Sequence, residues 1–105
     1  MKKIIALLLA AVMVMCLFAG CASSGGSKVI KIGVFEPQSG DNGAGGKQEV
    51  LGIQYANSVK PTVTIGGEEY KIELDIQDNQ SSTDKAVSAA QQLVADKVSV
   101  VLGSY

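Results

Sequence analysis

The feature that most constrains the fold is an alternation of short apolar runs with helical patterns between residues 28 and 105. Residues 28–35 (KVIKIGVF) and 98–102 (VSVVL) are rich in β-branched side chains and have the length of buried strands. Between them, residues 47–59 and 82–96 repeat apolar side chains three and four positions apart, as one face of a helix does. Strands that alternate with helices predict βαβ units with right-handed crossovers and a mostly parallel sheet.

A hairpin is predicted between the two helices. Gly66-Gly67 separates residues 63–65 from residues 70–76, and both runs alternate apolar with polar side chains. Two glycines between such runs favour a tight two-residue turn, because both turn positions need a positive φ. The sequence therefore predicts an α/β fold with the order β-α-(β-hairpin)-α-β.

The helical patterns also predict which side chains are buried. In the first helix, Val50, Ile53 and Ala56 form the inner face, and we attribute Gly52 in mid-helix to close packing against a strand. The second helix begins after Ser82, which is a good N-cap residue. Its predicted buried residues are Ala86, Val87, Ala90, Leu93 and Val94.

The first 20 residues have the three parts of a helical signal peptide. A positive start (Met1-Lys2-Lys3) precedes an apolar run over residues 4–18, and the small pair Ala19-Gly20 then precedes Cys21. The run is shorter than the roughly 20 apolar residues that span a bilayer. The alternative is an uncleaved membrane anchor.

The stretch LFAGC, residues 17–21, resembles a bacterial lipobox, in which the cysteine is diacylated and becomes the new N-terminus. We therefore predict lipidation of Cys21, which would attach the protein to a lipid bilayer. The alternative is an ordinary secreted protein with a free thiol there. Residues 21–27 continue into a Gly/Ser-rich stretch that we interpret as a flexible tether, and residues 28–105 form the folded domain.

Composition argues against several classes of function. The chain has ten acidic and nine basic residues, without the clustered basic face that nucleic-acid binding requires. It has no histidine, and of its two cysteines Cys16 would leave with the signal peptide while Cys21 carries lipid. Carboxylate pairs such as Glu68-Glu69 and Asp75/Asp78 suggest acid–base chemistry, but charges next to a turn are more often merely solvated. We predict no catalytic residue, no metal ligand, no cofactor and no disulfide, and therefore no enzyme.

A glycine-rich segment, PQSGDNGAGGKQE at residues 37–49, raises the possibility of a phosphate-binding loop. A Walker loop requires Ser or Thr after Gly-Lys, but Gln48 follows Gly46-Lys47, and Asp41 stands where the first glycine belongs. Gly43-Ala44-Gly45 offers only half of a dinucleotide fingerprint. The pattern therefore does not favour nucleotide binding.

The position of this segment favours another role. It leaves the first strand and enters the first helix, so it lies at the carboxyl edge of the sheet, where open α/β sheets bind ligands. Glycines let backbone amides approach a small carboxylate closely. The alternative is a surface loop without a contact role.

Two long strings carry a family resemblance: IKIGVFEPQSGDNGAGGKQEVLGIQYA (30–56) and IELDIQDNQSSTDKAVSAAQQLVADKVSVVLGSY (72–105). Together they resemble the N-terminal portion of substrate-binding lipoproteins of bacterial ABC transporters. The likeness is greatest to the branched-chain amino acid (leucine-binding, type I periplasmic binding protein) family. The matching motifs are the I-K-I-G-V strand, the P-x-S-G loop, the G-x-x-x-A helix and the strand ending in V-x-G.

The resemblance implies a partial type I lobe of a two-lobed protein that closes on a small amino acid and delivers it to a membrane permease. It implies an exported protein that is lipid-anchored to the outer face of the cell membrane, or on the periplasmic side in a bacterium with two membranes. Residues matched to the family's cleft are Ser39, Gly40 and Gly45 from the first loop and Ser104 and Tyr105 from the last. Gly45 departs from the family, because several members carry a ligand-covering aromatic residue there.

Length adds a further expectation. A two-lobed binder needs roughly 300 residues, at about 100–200 residues per domain. We therefore expect residues 28–105 to be a truncated first lobe, with an open sheet edge and little affinity for an amino acid alone. The alternative is a small self-sufficient surface lipoprotein that acts as an interaction module.

Overall fold

The computed structural model describes residues 28–105. The predicted signal peptide (1–20), the predicted lipidation site Cys21 and the rest of the tether lie outside the described residues. Within residues 28–105, none of the helices is long and apolar enough to cross a membrane. The elements in chain order are β1 (Val29–Glu36), α1 (Gly43–Val59), β2 (Thr62–Ile65), β3 (Glu68–Asp78), α2 (Thr83–Ala95) and β4 (Val100–Leu102).

The four strands form one mixed sheet in the order β2-β3-β1-β4. β1 is parallel to both neighbours, with Ile32 opposite Leu74 of β3 and Val100 of β4. β2 and β3 are antiparallel and are joined by Gly66-Gly67, whose φ angles are 59° and 81°. The α/β fold, the mostly parallel sheet and the hairpin are therefore confirmed, and the two glycines adopt the positive φ that the turn requires.

The two helices cover opposite faces of the sheet. On one face, Ile53 of α1 lies with Ile32 and Leu74 around a small apolar hollow. On the other face, Leu93 of α2 packs against Gly33, where an added Cβ atom would lie 3.1 Å from Leu93 Cδ2. Ile32 and Gly33 are consecutive strand residues and so point to opposite faces. The buried hydrophobic core of this three-layer arrangement consists of Val34, Val50, Ala89 and Leu93.

α1 begins four residues earlier than the pattern predicts, at Gly43 rather than about residue 47. Its first turn forms because Gly43 N donates to Gly40 O at 3.1 Å and Gly46 N donates to Asn42 O at 3.1 Å. Half of the glycine-rich segment is therefore helical. Gly46 is buried in this first turn, directly against the carbonyl group of Pro37, and leaves no room for a side chain.

The explanation predicted for Gly52 is wrong. No atom lies within 4 Å of a Cβ built on Gly52, so no strand packs closely against it. Ala56, predicted to be buried, is exposed, although it lines the hollow beside Ile53. Gly46 is the glycine that allows the helix to pack closely, because the first turn of α1 lies nearest to the end of β1.

The predicted inner face of α2 is also partly wrong. Leu93 is buried as expected, but Val87 and Val94 are 59% and 77% exposed, and Ala90 is exposed while Ala89 is buried. Ala90 and Val94 lie at the side of α2 that overhangs β4, where they line an open hollow of about 420 Å³. β4 is the edge strand of the sheet formed by the described residues, so no further strand lies beside it to cover this side of the helix.

The last strand is not the buried strand that its composition predicts. Val100, Val101 and Leu102 are 50%, 46% and 40% exposed. β4 pairs with β1 on one side and forms one edge of the sheet. Its apolar side chains therefore remain partly in contact with solvent, as expected for an open sheet edge.

Candidate functional site

The candidate site lies at the carboxyl edge of the sheet, where three loops meet. The first loop (37–42) follows β1, the second loop (79–82) follows β3, and the third loop (103–105) follows β4. α1 and α2 begin at the same edge because each follows a parallel strand. The five residues predicted from sequence all belong to this edge, since Gly45 lies in the first turn of α1: Ser39, Gly40, Gly45, Ser104 and Tyr105.

Asp78, the last residue of β3, holds the first and second loops together. Its Oδ1 accepts hydrogen bonds from Gln38 N at 2.7 Å and Gln80 N at 2.8 Å, and its Oδ2 accepts one from Ser39 Oγ at 2.7 Å. Burial raises the pKa of Asp78, but these donors outweigh that effect and bring the pKa below its usual 3.8. Because the Ser39 hydroxyl donates to Asp78, it can only accept a hydrogen bond from a ligand.

Ser81 provides a second link between the same loops. Its hydroxyl accepts a hydrogen bond from Asn42 N at 3.0 Å and donates one to Ser39 O at 3.0 Å. Gly40 packs against this turn with a φ of 76°, and a Cβ atom there would meet the carbonyl group of Gln80 and lie 3.0 Å from Ser81 Cβ. Gly40 therefore joins the loops and has a structural role at this edge.

The third loop is held from two sides. Tyr105 N donates to Glu36 Oε2 at 2.8 Å, and Asn79 Nδ2 donates to Ser104 Oγ at 3.0 Å. The Tyr105 ring lies against Gly45, because a Cβ atom built there would be 2.8 Å from Tyr105 Cζ and 2.9 Å from Cε1. The structure thus brings two predicted site residues into contact, and an aromatic ring from the third loop covers the place where Gly45 has no side chain.

Glu36 and Asn79 are the residues of this edge that the sequence analysis missed. Glu36 ends β1 and is only 2% exposed, and Asn79 is 5% exposed. Burial raises the pKa of Glu36, and Glu49 of α1 raises it further through its like charge, against the opposing effect of the Tyr105 amide. A carboxylate as the last residue of a buried strand, directly before Pro37, was the available sequence signal.

The chemistry of the edge suits binding. It presents the exposed Tyr105 ring, the Ser104 hydroxyl and the backbone groups of three loops. Among residues 28–105, no cluster of three or more His, Cys, Asp or Glu residues could hold a metal ion. The polar groups are few and are fixed by neighbouring loops, which is the usual character of a small-molecule site.

Comparison with known proteins gives a consistent assignment. The sequence model described as periplasmic binding protein matches residues 29–105. No curated protein matches the chain significantly. Two solved structures show the same fold at 36% sequence identity.

One of these structures is the leucine-binding protein LivK from Thermotoga maritima. It has a TM-score of 0.61, and the match covers 71% of this chain and 21% of LivK. The other is the branched-chain amino acid transporter substrate-binding protein LivJ from Streptococcus pneumoniae, solved with isoleucine. It has a TM-score of 0.60, and the match covers 72% of this chain and 22% of LivJ.

The chain thus spans about a fifth of the length of the solved proteins it resembles. The family match extends from the start of β1 through the third loop and includes every loop of the candidate site. On this evidence of sequence and fold, the chain belongs to the periplasmic binding protein family.

Proposed function

We propose that this chain is part of the extracytoplasmic solute-binding component of an ABC transporter for amino acids, branched-chain or related. One observation carries the proposal: residues from separate loops come together at the carboxyl edge of the sheet, with the Tyr105 ring against Gly45. The relationship to a leucine-binding protein and to a protein solved with isoleucine supports this class of ligand. The partners proposed with it are a small amino acid and a membrane permease.

The edge offers complementary groups to an amino acid. Tyr105 is 63% exposed, and its ring offers an apolar face to an aliphatic side chain. The Ser39 oxygen, whose proton is engaged with Asp78, has lone pairs free to accept from an ammonium group. Ser104 Oγ accepts from Asn79 and donates to Tyr105 O at 3.3 Å, a long bond that a ligand carboxylate can replace.

Residues 28–105 provide one wall of the proposed cleft. Small-molecule sites usually bury 70–90% of the ligand surface, which a single sheet edge cannot do. We therefore expect the full chain alone to bind L-leucine or L-isoleucine with a dissociation constant of about 1 mM or weaker, an interaction of about 4 kcal/mol at most. Calorimetry tests this expectation, and micromolar binding would contradict it.

A chimera tests the ligand class directly. Residues 28–105 replace the aligned segment of the S. pneumoniae protein, whose remaining length supplies the rest of the cleft. We expect isoleucine binding to be kept within about tenfold, which is about 1.4 kcal/mol. In this chimera, Tyr105→Ala should weaken binding by about 10- to 100-fold, because a buried aromatic contact contributes about 1.5–3 kcal/mol.

Tyr55 provides the matched control for this variant. It is 72% exposed on α1 and lies away from the three loops, so Tyr55→Ala should leave isoleucine affinity unchanged. A chimera that does not bind isoleucine, or one in which both tyrosine variants behave alike, would contradict the proposal.

The proposal includes export and attachment to a membrane through acylated Cys21. It rests on the signal-peptide pattern and on the lipobox resemblance of residues 17–21. In bacteria fed labelled palmitate, the chain should incorporate label, and Cys21→Ser should abolish incorporation. Cys16→Ser is the control, since Cys16 would be removed with the signal peptide. Label retained in Cys21→Ser would contradict lipidation at this residue.

A further inference from the structure

A buried carboxylate lies beneath the third loop. Glu36 is 2% exposed, and its Oε2 accepts a 2.8 Å hydrogen bond from Tyr105 N. Its Oε1 lies next to Gly103, where an added Cβ atom would approach it to 2.7 Å. Gly103 has a φ of 122° and also packs against the carbonyl group of Phe35. Both oxygens of Glu36 therefore face the backbone of the third loop.

Groups from each surrounding element bear on Glu36. Glu49 approaches from α1 and places a like charge next to Glu36. Asp78 lies opposite Glu36 on the neighbouring strand β3, and the third loop contributes the phenol and the backbone amide of Tyr105. Within residues 28–105, the ion pairs join other residues, Lys28 with Glu68 and Lys71 with Glu73. The Tyr105 amide thus stabilises the ionised form of Glu36, whereas the like charge of Glu49 disfavours it.

We propose that Glu36 is a positioning residue: its carboxyl group fixes the backbone of the third loop so that the Tyr105 ring lies against Gly45. The bond to Tyr105 N fixes the residue that carries the ring, while Asn79 holds the preceding residue, Ser104, from the other side. The connection to ligand affinity rests on the proposed function. The positioning itself does not.

Glu36 differs from an ordinary buried structural residue in one measurable way. Loss of a purely structural side chain would lower the stability of the whole fold, whereas loss of the Glu36 carboxyl should act mainly on the Tyr105 amide that it accepts from. Since burial and Glu49 both raise the pKa of Glu36, the carboxyl changes charge above pH 4.5, and the Tyr105 amide proton should respond to that change. Gln38 N donates to Asp78 in the same edge and reports independently on the neighbouring carboxylate.

Nuclear magnetic resonance of the full chain in detergent tests the proposal. In the wild type, the Tyr105 amide proton should move downfield as Glu36 ionises, with a midpoint above pH 4.5. In Glu36→Gln, the bond to the carboxamide oxygen should remain but the titration should disappear. In Glu36→Ala, hydrogen exchange of the Tyr105 amide should accelerate at least about tenfold, since an accepting partner of the amide is lost.

Glu49→Gln is the third variant. It removes the like charge and should lower the midpoint of the Tyr105 amide titration while keeping the hydrogen bond. The Gln38 amide should keep its wild-type pH dependence in all three variants. A Tyr105 amide that does not titrate in the wild type overturns the proposal even if a Glu36 variant fails to fold. So does a Tyr105 amide that exchanges equally slowly in Glu36→Ala.

The two proposals fail separately. In the isoleucine-binding chimera, Glu36→Ala should weaken affinity and Glu36→Gln should largely restore it. If the chimera does not bind isoleucine while the Tyr105 amide follows Glu36, the proposed function is wrong and the positioning role stands. If the chimera binds isoleucine and the amide ignores Glu36, the positioning role is wrong.

Discussion

Two junctions between loops at one edge of the sheet each contain a carboxylate, and the pKa values of these two carboxylates are shifted in opposite directions. In the first junction, the first and second loops surround Asp78. In the second junction, the third loop covers Glu36. The two residues are paired in register on neighbouring strands. Asp78 has three donors and a lowered pKa, whereas Glu36 has the Tyr105 amide and a nearby Glu49, and its pKa is raised.

The comparison indicates that neighbouring groups, rather than burial alone, set the direction of each pKa shift: several donors lower the pKa of Asp78, while the nearby Glu49 adds to the raised pKa of Glu36. Burial disfavours the ionised form in both places. The first junction overcomes this with two backbone amides and a hydroxyl, so the loops there are cross-linked by an anion. In the second junction, the carboxylate of Glu36 accepts a hydrogen bond from the Tyr105 amide only, among the contacts of the described residues. We expect the first junction to be the rigid part of the edge and the second to be its adjustable part.

The largest expected effect belongs to Gly40→Ala in the first junction. The new methyl group would meet the carbonyl group of Gln80, and the residue would have to keep a φ of 76°. Strain of this kind costs on the order of 1–3 kcal/mol, and the contact adds to it. Urea denaturation should show a loss of about 2–4 kcal/mol in the free energy of unfolding.

Gly66→Ala is the matched control for this prediction. Gly66 has a φ of 59° but no atom within 4 Å of an added Cβ. Its substitution should therefore cost only the left-handed conformation, about 1 kcal/mol. Equal losses for the two variants would show that contact between the first and second loops contributes nothing.

Asp78→Ala should have the next largest effect. It removes the acceptor of three hydrogen bonds and leaves Gln38 N, Gln80 N and the Ser39 hydroxyl without their partner. Bonds to a charged group contribute about 1.5–3 kcal/mol, so we expect a loss of about 2–3 kcal/mol in urea denaturation. Asp75→Ala is the control, because Asp75 accepts from the Gln77 side chain, which can turn to water. If Asp75→Ala lowered the free energy of unfolding as much as Asp78→Ala, this prediction would be wrong.

The sequence predicted the parts of the fold that depend on local patterns. The Gly66-Gly67 hairpin follows from two neighbouring runs and a turn preference, and the parallel sheet follows from the alternation of elements. The edge that carries Ser39 and Ser104 followed from their positions after parallel strands and from the family resemblance. All of these survive in the structure because none depends on how far the sheet extends sideways.

The parts that sequence could not predict depend on distant neighbours. Val94 is exposed because α2 lies over the edge of the sheet at β4, and the position of that edge is a property of the whole sheet. Gly52 and Gly46 are equally plausible packing glycines in a helix, and only the position of Pro37 distinguishes them. Glu36 is buried by α1 and by a loop 69 residues away in the chain, so its environment is invisible in its own strand.

The pH dependence of stability should separate the two junctions. Asp78 has a lowered pKa, so its contribution to stability is present above pH 3.8 and is lost as pH falls through the folded-state pKa. Glu36 has a raised pKa, so its contribution is present below pH 4.5 and is lost as pH rises through the folded-state value. The contribution of Asp78 to stability is therefore lost on acidification, and that of Glu36 is lost as the pH rises.

Urea denaturation of the wild type and two variants across about pH 2 to 8 measures this opposition. Asp78→Asn should flatten the acidic side of the profile. Glu36→Gln should flatten the side above pH 4.5 and raise the free energy of unfolding at neutral pH, by less than Asp78→Ala lowers it. A Glu36→Gln variant whose stability still falls from pH 4.5 to 8 as steeply as that of the wild type would contradict the second assignment.

The smallest effect on stability is expected for Gly45→Ala in the second junction. A new methyl group would meet the Tyr105 ring at 2.8 Å, but an exposed side chain can turn aside. Gly45 lies in α1, where alanine is favoured over glycine by about 1 kcal/mol, so the net change should stay within about 1 kcal/mol. The Tyr105 amide should keep its bond to Glu36 while the ring resonances shift.

A double-mutant cycle with Tyr105→Ala isolates the contact between the ring and Gly45. Without the ring, Gly45→Ala should stabilise the chain by up to about 1 kcal/mol, and the difference from its effect in the wild type is the coupling energy. If Gly45→Ala instead costs as much as Gly40→Ala, the second junction is as rigid as the first. The proposed contrast between a rigid first junction and an adjustable second junction would then be wrong.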